Sequence, residues 1–309
     1  MNKRILILRP GAIGDTLLTF PLLRALKARY SHITFVSNPT VLPLAQQFGL
    51  ADDVFDYGAQ AWSTLFSPSG IRSSFVQNML QHTDTTICWL RDPDGIVECN
   101  IRKAGVAHVI IAPGRPNEAS ETHIVTYLAH TLGISLTEQE MMQPFLSRPS
   151  NTAHTVAIHP GSGGAAKCWS IESFASVIAE LWRQQLPVLL LTGPADTGRL
   201  TTLLKLIATP PTPSLLEIMT NAPLVDVAEH LHSCDVYLGN DSGITHLAAM
   251  LGLPTIALFG PSNPAIWRPV GPHVQVLCNP ELKNIRVEVI VAMLTKIMRE
   301  EIEQVDTVF

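Results

Sequence analysis

Short, continuous apolar runs recur along this chain, each followed by a longer amphipathic stretch, and that alternation leaves few folds open. RILILR at 4–9 has no polar face. A strand like that is buried on both sides, as in a parallel sheet. The stretch 15–29 follows, with Leu17, Leu18, Leu22, Leu23 and Leu26 at helical spacing. HITFVS at 32–37 is the next strand. A short helix in VLPLAQQFGL, strands in DVFDY, TTICWL (85–90) and HVIIA (108–112), and a helix over 123–133 continue the rhythm. Between them 57–81 reads as irregular, because Pro68, Gly70 and several serines interrupt any period. Residues 113–123 read as a loop of Pro, Gly and polar residues.

QPFLSRPSNTAH at 143–154, with its prolines and polar run, marks an interdomain linker. The pattern then restarts: TVAIHPG (155–161), a helix over 170–184, PVLLLTG (187–193), a helix over 196–208, LLEIM, a helix over 224–233, CDVYLG, a helix over 243–252 and PTIALFG. A last helix runs from about Ile285 to Glu303. A βαβ rhythm on each side of a linker predicts two doubly wound α/β domains, 1–150 and 151–309. The length of 309 residues suits two domains of about 150 residues each.

Composition narrows the function classes. Apolar residues make up 46% and charged residues 15%, which excludes a disordered chain. A net charge of −5 gives no electrostatic reason to expect nucleic acid. Cys88, Cys99, Cys168, Cys234 and Cys278 form no CxxC pair. They read as reduced thiols, not as a disulfide framework or a zinc site. No segment reaches the ~20 apolar residues of a membrane span. The opening run is too short for a secretory h-region and lacks a small-residue cleavage site. The expectation is a cytoplasmic protein, with peripheral contact at the inner face of the cytoplasmic membrane left open.

Ligands of open parallel sheets bind at the carboxyl ends of strands, next to helix N-termini. Four segments fall there. In RPGAIGD (9–15), Gly14 allows a tight turn and Asp15 stands at the helix start, where it is either a cap or a catalytic base. In HPGSGGAAKCWS (159–170), clustered glycines expose backbone N–H groups to an anion. Ser162 and Gly163 lie in that turn, and Lys167 adds a charge. In TGPAD (192–196), Asp196 either receives ribose hydroxyls or caps the next helix. In GNDSGITH (239–246), Asp241, Ser242 and Gly243 open an apolar helix whose N–H groups suit a pyrophosphate, and His246 follows one turn later. Neither the GxGxxG nor the GxxxxGK[ST] spacing is present.

Taken in order, RPGAIGD, HPGSGGAAKCW, GPAD, NDSGITH and FGPSNP resemble glycosyltransferase family 9, the heptosyltransferases of lipopolysaccharide assembly. The resemblance spans almost the whole chain. It implies the GT-B fold: two Rossmann-like domains facing across a cleft, acceptor mainly in the first and nucleotide sugar mainly in the second. It also implies inverting transfer without a metal or cofactor, with ADP-heptose as donor and a lipopolysaccharide-core-like glycolipid or oligosaccharide as acceptor. Position by position, Asp15 matches the catalytic base and Lys167 the lysine on donor phosphate. Asp241, Ser242, Gly243 and His246 match the donor motif, and Asp196 falls where the family has Glu near the ribose. Such chemistry is coherent, since an acceptor hydroxyl is a poor nucleophile without a base and a departing diphosphate is stabilised by cations and helix N–H groups. The acceptor contacts stay unassigned. The other readings are a related UDP-sugar 2-epimerase, which needs further acid–base carboxylates, and a non-catalytic binding protein of the same fold.

Overall fold

A computed structural model describes residues 3–117, 119–149 and 154–306, with side chains up to residue 300. The chain forms two compact units, Met1–Met141 and Met142–Phe309. The boundary expected between residues 150 and 151 lies outside the described residues. Residues 143–149, read as part of a linker, bond within the second unit: Phe145 N–H donates to Met250 O, Arg148 to Cys234 O and His232 Nε2 contacts Ser147 O.

The first unit runs β1 (Arg4–Leu8), α1 (Ile13–Leu17), α2 (Phe20–Lys27), β2 (His32–Ser37), α3 (Leu42–Gln47), β3 (Asp53–Asp56), α4 (Gln60–Ser63), α5 (Ser74–Gln81), β4 (Thr85–Trp89), α6 (Ile96–Lys103), β5 (His108–Ala112), α7 (Ile124–Thr131) and α8 (Glu138–Met142). Its five strands are parallel, in the order β3-β2-β1-β4-β5. RILIL forms the central strand because both neighbours and both faces are protein: Ile5 to Leu8 are all buried. The order reverses direction beside β1, so a ligand crevice belongs at the carboxyl ends of β1 and β4.

The second unit runs β6 (Val156–His159), α9 (Ile171–Arg183), β7 (Val188–Thr192), α10 (Thr197–Leu206), β8 (Leu216–Thr220), α11 (Leu224–His232), β9 (Val236–Asn240), α12 (Gly243–Met250), β10 (Thr255–Phe259), α13 (Pro264–Trp267), β11 (Val274–Cys278) and α14 (Val287–Asp306). The strands are again parallel, ordered β11-β10-β9-β6-β7-β8. The switch point is between β6 and β9. α9 shows why the core holds: Ile171, Phe174, Ile178, Leu181 and Trp182 recur at helical spacing and are buried, and the Ser170 hydroxyl caps the helix from the Ser173 N–H. Each such side chain contributes roughly 1.5–3 kcal/mol on burial.

Three expectations change. The helix expected over 15–29 begins at Ile13 and is split, with Thr19 preceding a second helix that has Pro21 in its first turn. Proline has no N–H to continue the ladder and is tolerated only at a helix start. The irregular stretch 57–81 contains α4, a short 3₁₀ turn and α5, capped by Ser73 and buried through Val76 and Leu80. Buried Asn100 on α6 ties this stretch down by donating to Leu65 O and Ser67 O. Finally, α6 and β11 are additional elements. No helix among the described residues is long and apolar enough to cross a membrane.

Candidate functional site

In the first unit the crevice end of β1 is built around one carboxylate. Asp15 is the third residue of α1, and its Oδ2 accepts the Ala12 N–H at 3.1 Å. That is the capping role, since Ala12 offers no side-chain oxygen of its own. Gly14 lies inside α1 beside it, not in a turn ahead of the helix; its carbonyl accepts the Leu18 N–H. The same carboxylate is held by two guanidiniums: Arg9 Nη2 lies 3.3 Å from Oδ1 and Arg115 Nη2 3.1 Å from Oδ2. Arg9 is 2% exposed, whereas the Arg115 side chain is 66% exposed. Burial pushes the Arg9 pKa down, opposed by the Asp15 charge and reinforced by Arg115. The packing is tight. A Cβ on Gly11 would lie 2.6 Å from the Asp15 Cβ, and one on Gly114 2.5 Å from Arg9 Nη1 and 2.8 Å from Trp89 O. The cluster presents a buried carboxylate with one solvent-reaching cation, a pairing that can take a proton and bind an anion in one place.

In the second unit β6 and β9 deliver two loops to one spot. Asn240, wholly buried at the end of β9, donates to Pro160 O at 2.9 Å and Gly161 O at 3.1 Å and accepts the Trp169 N–H at 2.9 Å. Arg199 of α10 donates to Pro160 O at 2.9 Å and Trp169 O at 2.7 Å. The glycine-rich turn is thus clamped at both ends while its tip stays open: a Cβ on Gly163 or Gly164 would meet nothing. Ser162 donates to Asp241 O at 2.7 Å. Lys167, 42% exposed, bonds the buried Asp241 carboxylate at 2.7 Å, and His246 Nε2 lies 3.9 Å from its other oxygen. Ser242 caps α12 by accepting the Thr245 N–H at 3.4 Å. The Lys167 ammonium and His246 therefore gather around the Asp241 carboxylate beside the start of α12 at Gly243, where a dipole and a cation act together.

Asp196 stands at the start of α10 as expected, but its side chain makes no capping bond to that helix. Its carboxylate is buried, accepts the Gly193 N–H at 2.8 Å and meets His159 Nε2 at 3.1 Å. Burial works against its charged form, but the bonds from His159 and Gly193, with the His159 and Arg199 charges, outweigh it and hold the carboxyl below the usual range. His159 belongs to the motif HPG, yet its role shows only in space, where its Nδ1 lies 3.2 Å from Ser242 Oγ. Arg199 was likewise missed, and Asn240 was read only as one of the polar groups crowded at the end of its strand. Nothing local in the sequence announces a side chain that bonds a carbonyl 39 or 80 positions away. Of the residues singled out, Ser162, Lys167, Asp241, Ser242, Gly243 and His246 gather at the switch point of the second sheet. Gly14 and Asp15 stand at that of the first. Among the described residues no three His, Cys, Asp or Glu side chains gather as a metal site.

Comparison with known proteins agrees with this geometry. The family described as glycosyltransferase family 9 (heptosyltransferase) matches residues 124–294, more than half of the chain. Lipopolysaccharide heptosyltransferase 3 of Escherichia coli is 31% identical over 116 residues, 37% of this chain, and the chain spans only 33% of that protein. Lipooligosaccharide heptosyltransferase 2 of Campylobacter jejuni is 21% identical over 84% of this chain and 82% of its own length. The solved structure of E. coli ADP-heptose lps heptosyltransferase II superposes with a TM-score of 0.75 at 20% identity, covering 96% of this chain and 99% of that one. The two parallel-sheet α/β units are those of the GT-B fold. The chain belongs to glycosyltransferase family 9.

Proposed function

We propose that this protein transfers a heptose or a related sugar from an ADP-sugar to a hydroxyl of a lipopolysaccharide-core-like acceptor, with inversion at the anomeric carbon and without a metal or cofactor. The observation that carries this is the convergence of Lys167, Ser242, His246 and the opening amides of α12 at the switch point of the second sheet. A diphosphate placed there meets a helix dipole and an ammonium. The names of the relatives support a heptosyl donor, and the similar E. coli structure is of an ADP-heptose enzyme.

Asp15 is the base that takes the proton of the incoming hydroxyl, and Arg115 the first candidate for an anionic group of the acceptor. Gly14 shapes the helix start that holds Asp15. Lys167 and the α12 amides stabilise the departing nucleoside diphosphate; Ser162, Gly163 and Gly243 line its place. Asp241 orients Lys167, and Asp196 serves the donor indirectly through His159. The protein works in the cytoplasm, at the inner face of the membrane that carries the growing glycolipid.

Two variants test the assignment. Asp15→Asn keeps the side-chain volume and an acceptor for the Ala12 N–H but, like alanine, removes the charge that faces buried Arg9, and breaking such a buried pair costs about 3–5 kcal/mol, so its urea midpoint is measured beside its activity. Transfer should fall about a hundred- to ten-thousand-fold while ADP-sugar affinity stays unchanged. Lys167→Ala should weaken that affinity about ten- to hundred-fold, the worth of one charge-assisted bond. Full transfer by Asp15→Asn removes it as the base; preference for GDP- or UDP-sugars over ADP-heptose in a direct screen, or activity abolished by EDTA, overturns the donor or the metal-free mechanism.

A further inference from the structure

Asp15 Oδ2, the carboxylate oxygen on the Arg115 side, has no acceptor place left. A carboxylate offers about two lone-pair places on each oxygen. Oδ2 takes the Ala12 N–H at 3.1 Å and Arg115 Nη2 at 3.1 Å. Oδ1 takes Arg9 Nη2 at 3.3 Å, in a buried bond from a side chain that is 2% exposed. Of the two guanidiniums on this carboxylate, that of Arg115 is the one that reaches solvent.

The backbone that carries Arg115 is anchored. A Cβ on Gly114 would lie 2.8 Å from Trp89 O at the end of β4 and 2.5 Å from Arg9 Nη1, so the chain runs directly against both. The Tyr127 hydroxyl of α7 donates to Pro113 O at 3.1 Å. Pro116 follows Arg115 and restricts its backbone towards extended conformations. Withdrawal of the guanidinium from Asp15 is then a rotation of one exposed side chain, and no loop has to rearrange. Buried Arg9 stays on Oδ1, so the carboxylate keeps its orientation when Arg115 leaves.

We propose that Arg115 is a specificity-determining residue that latches the base. Without an acceptor it covers Asp15 Oδ2; an oxyanion on the incoming acceptor draws it off, and Oδ2 is then open to a hydroxyl of that same molecule. The inference rests on the reading of Asp15 as the base. In transfer the hydroxyl oxygen bonds the anomeric carbon, the bond from that carbon to the diphosphate breaks with its electron pair leaving on the nucleotide, and the hydroxyl proton passes to Oδ2. Water in place of the acceptor undergoes the same step and hydrolyses the donor, but water brings no charge to open the latch. A guanidinium suits the exchange, because its fork pairs with a carboxylate of the protein and with a phosphate or carboxylate of a ligand alike.

The test is ADP release from ADP-heptose, with and without a deacylated lipopolysaccharide core oligosaccharide as acceptor. In Arg115→Ala, release into water alone should rise about three- to ten-fold, the worth of one charge-assisted bond discounted for the exposure of Arg115, while acceptor-dependent release falls. In the double variant Asp15→Asn/Arg115→Ala the gain in water should vanish, which separates an unlatched base from mere entry of water. Affinity for ADP-ribose, which keeps the ADP half of the donor, should equal that of the native protein and reports that the variant is folded. Should Arg115→Ala not bind it, Arg115→Gln, which keeps length without the charge, is read in the same way. A residue that only binds acceptor, or only holds the fold, leaves release into water unchanged or lowers it, and either result overturns the latch. A gain that survives in the double variant, or acceptor-dependent release undiminished in Arg115→Ala, overturns it as well. If Asp15→Asn alone is inactive while Arg115→Ala shows no gain, the base stands and the latch falls. If Asp15→Asn alone transfers fully, the base falls and takes the latch with it.

Discussion

Asp196 and Asp15 are both buried carboxylates at helix starts, yet their surroundings give them different chemistry. Asp15 shares its oxygens among a backbone N–H and two guanidiniums, one of which reaches solvent. Asp196 is shut in by His159, Gly193 and the backbone of Gly161. From sequence the two looked alike, as an acidic residue following a glycine turn. Their partners lie 6 and 100 positions away for Asp15 and 37 for Asp196, and no local pattern encodes such pairings. The depressed pKa of Asp196 has a consequence for stability. A carboxyl whose folded pKa lies below its unfolded value of about 3.9 stabilises the fold fully above that value and loses the contribution as pH falls through the folded one. Urea midpoints of the native protein and Asp196→Asn should therefore differ most near neutrality and converge as pH drops below about 4. A gap that stays constant down to that acid range would show that the charge of Asp196 does not matter to the fold.

At the scale of elements, what was legible tracks how completely a segment's partners are apolar. VLLLT and TIALF are buried along their whole length and RILIL from Ile5 onward, and all three read directly as strands. α5 was hidden because Pro68 and Gly70 precede it and serines flank its start, while its buried face is only Val76 and Leu80. β11 is an edge strand without a fully buried residue, so its period is weak. The glycine-rich turn was read as one anion-binding loop, and here structure divides it. A Cβ on Gly161 would sit 1.9 Å from Asp196 Oδ1, and Asp196 cannot yield because His159 and Gly193 hold it; a Cβ on Gly163 would meet nothing. Gly161→Ala should cost about 1–3 kcal/mol, as overpacking does. Gly163→Ala should stay within about 0.5 kcal/mol of the native protein, as an open surface site does. Chemical denaturation of the pair reads the contrast, and equal stabilities would mean that the turn is not anchored through Gly161.

On the scale of the whole molecule, the same device occurs twice: a parallel sheet reverses its strand order beside its central strand, and the loops at that point carry the reactive groups. Repetition of the βαβ rhythm made this readable, because two doubly wound sheets need two switch points. The division of labour between the copies is chemical. In the proposed assignment the first, with two arginines around one carboxylate, takes the proton and an anionic acceptor, and the second, with a helix start, an ammonium and an open glycine turn, takes the diphosphate. Donor binding should then be a property of the second unit. Hydrogen exchange with and without ADP-ribose measures this directly, since a ligand at 100 times its Kd stabilises the state it binds by about 2.7 kcal/mol. Amides at 159–167 and 241–246 should gain protection, whereas those at 8–15 should exchange as before. Protection concentrated at 8–15, with none at the start of α12, would assign the nucleotide to the first unit and require Asp15 and its arginines to be donor ligands.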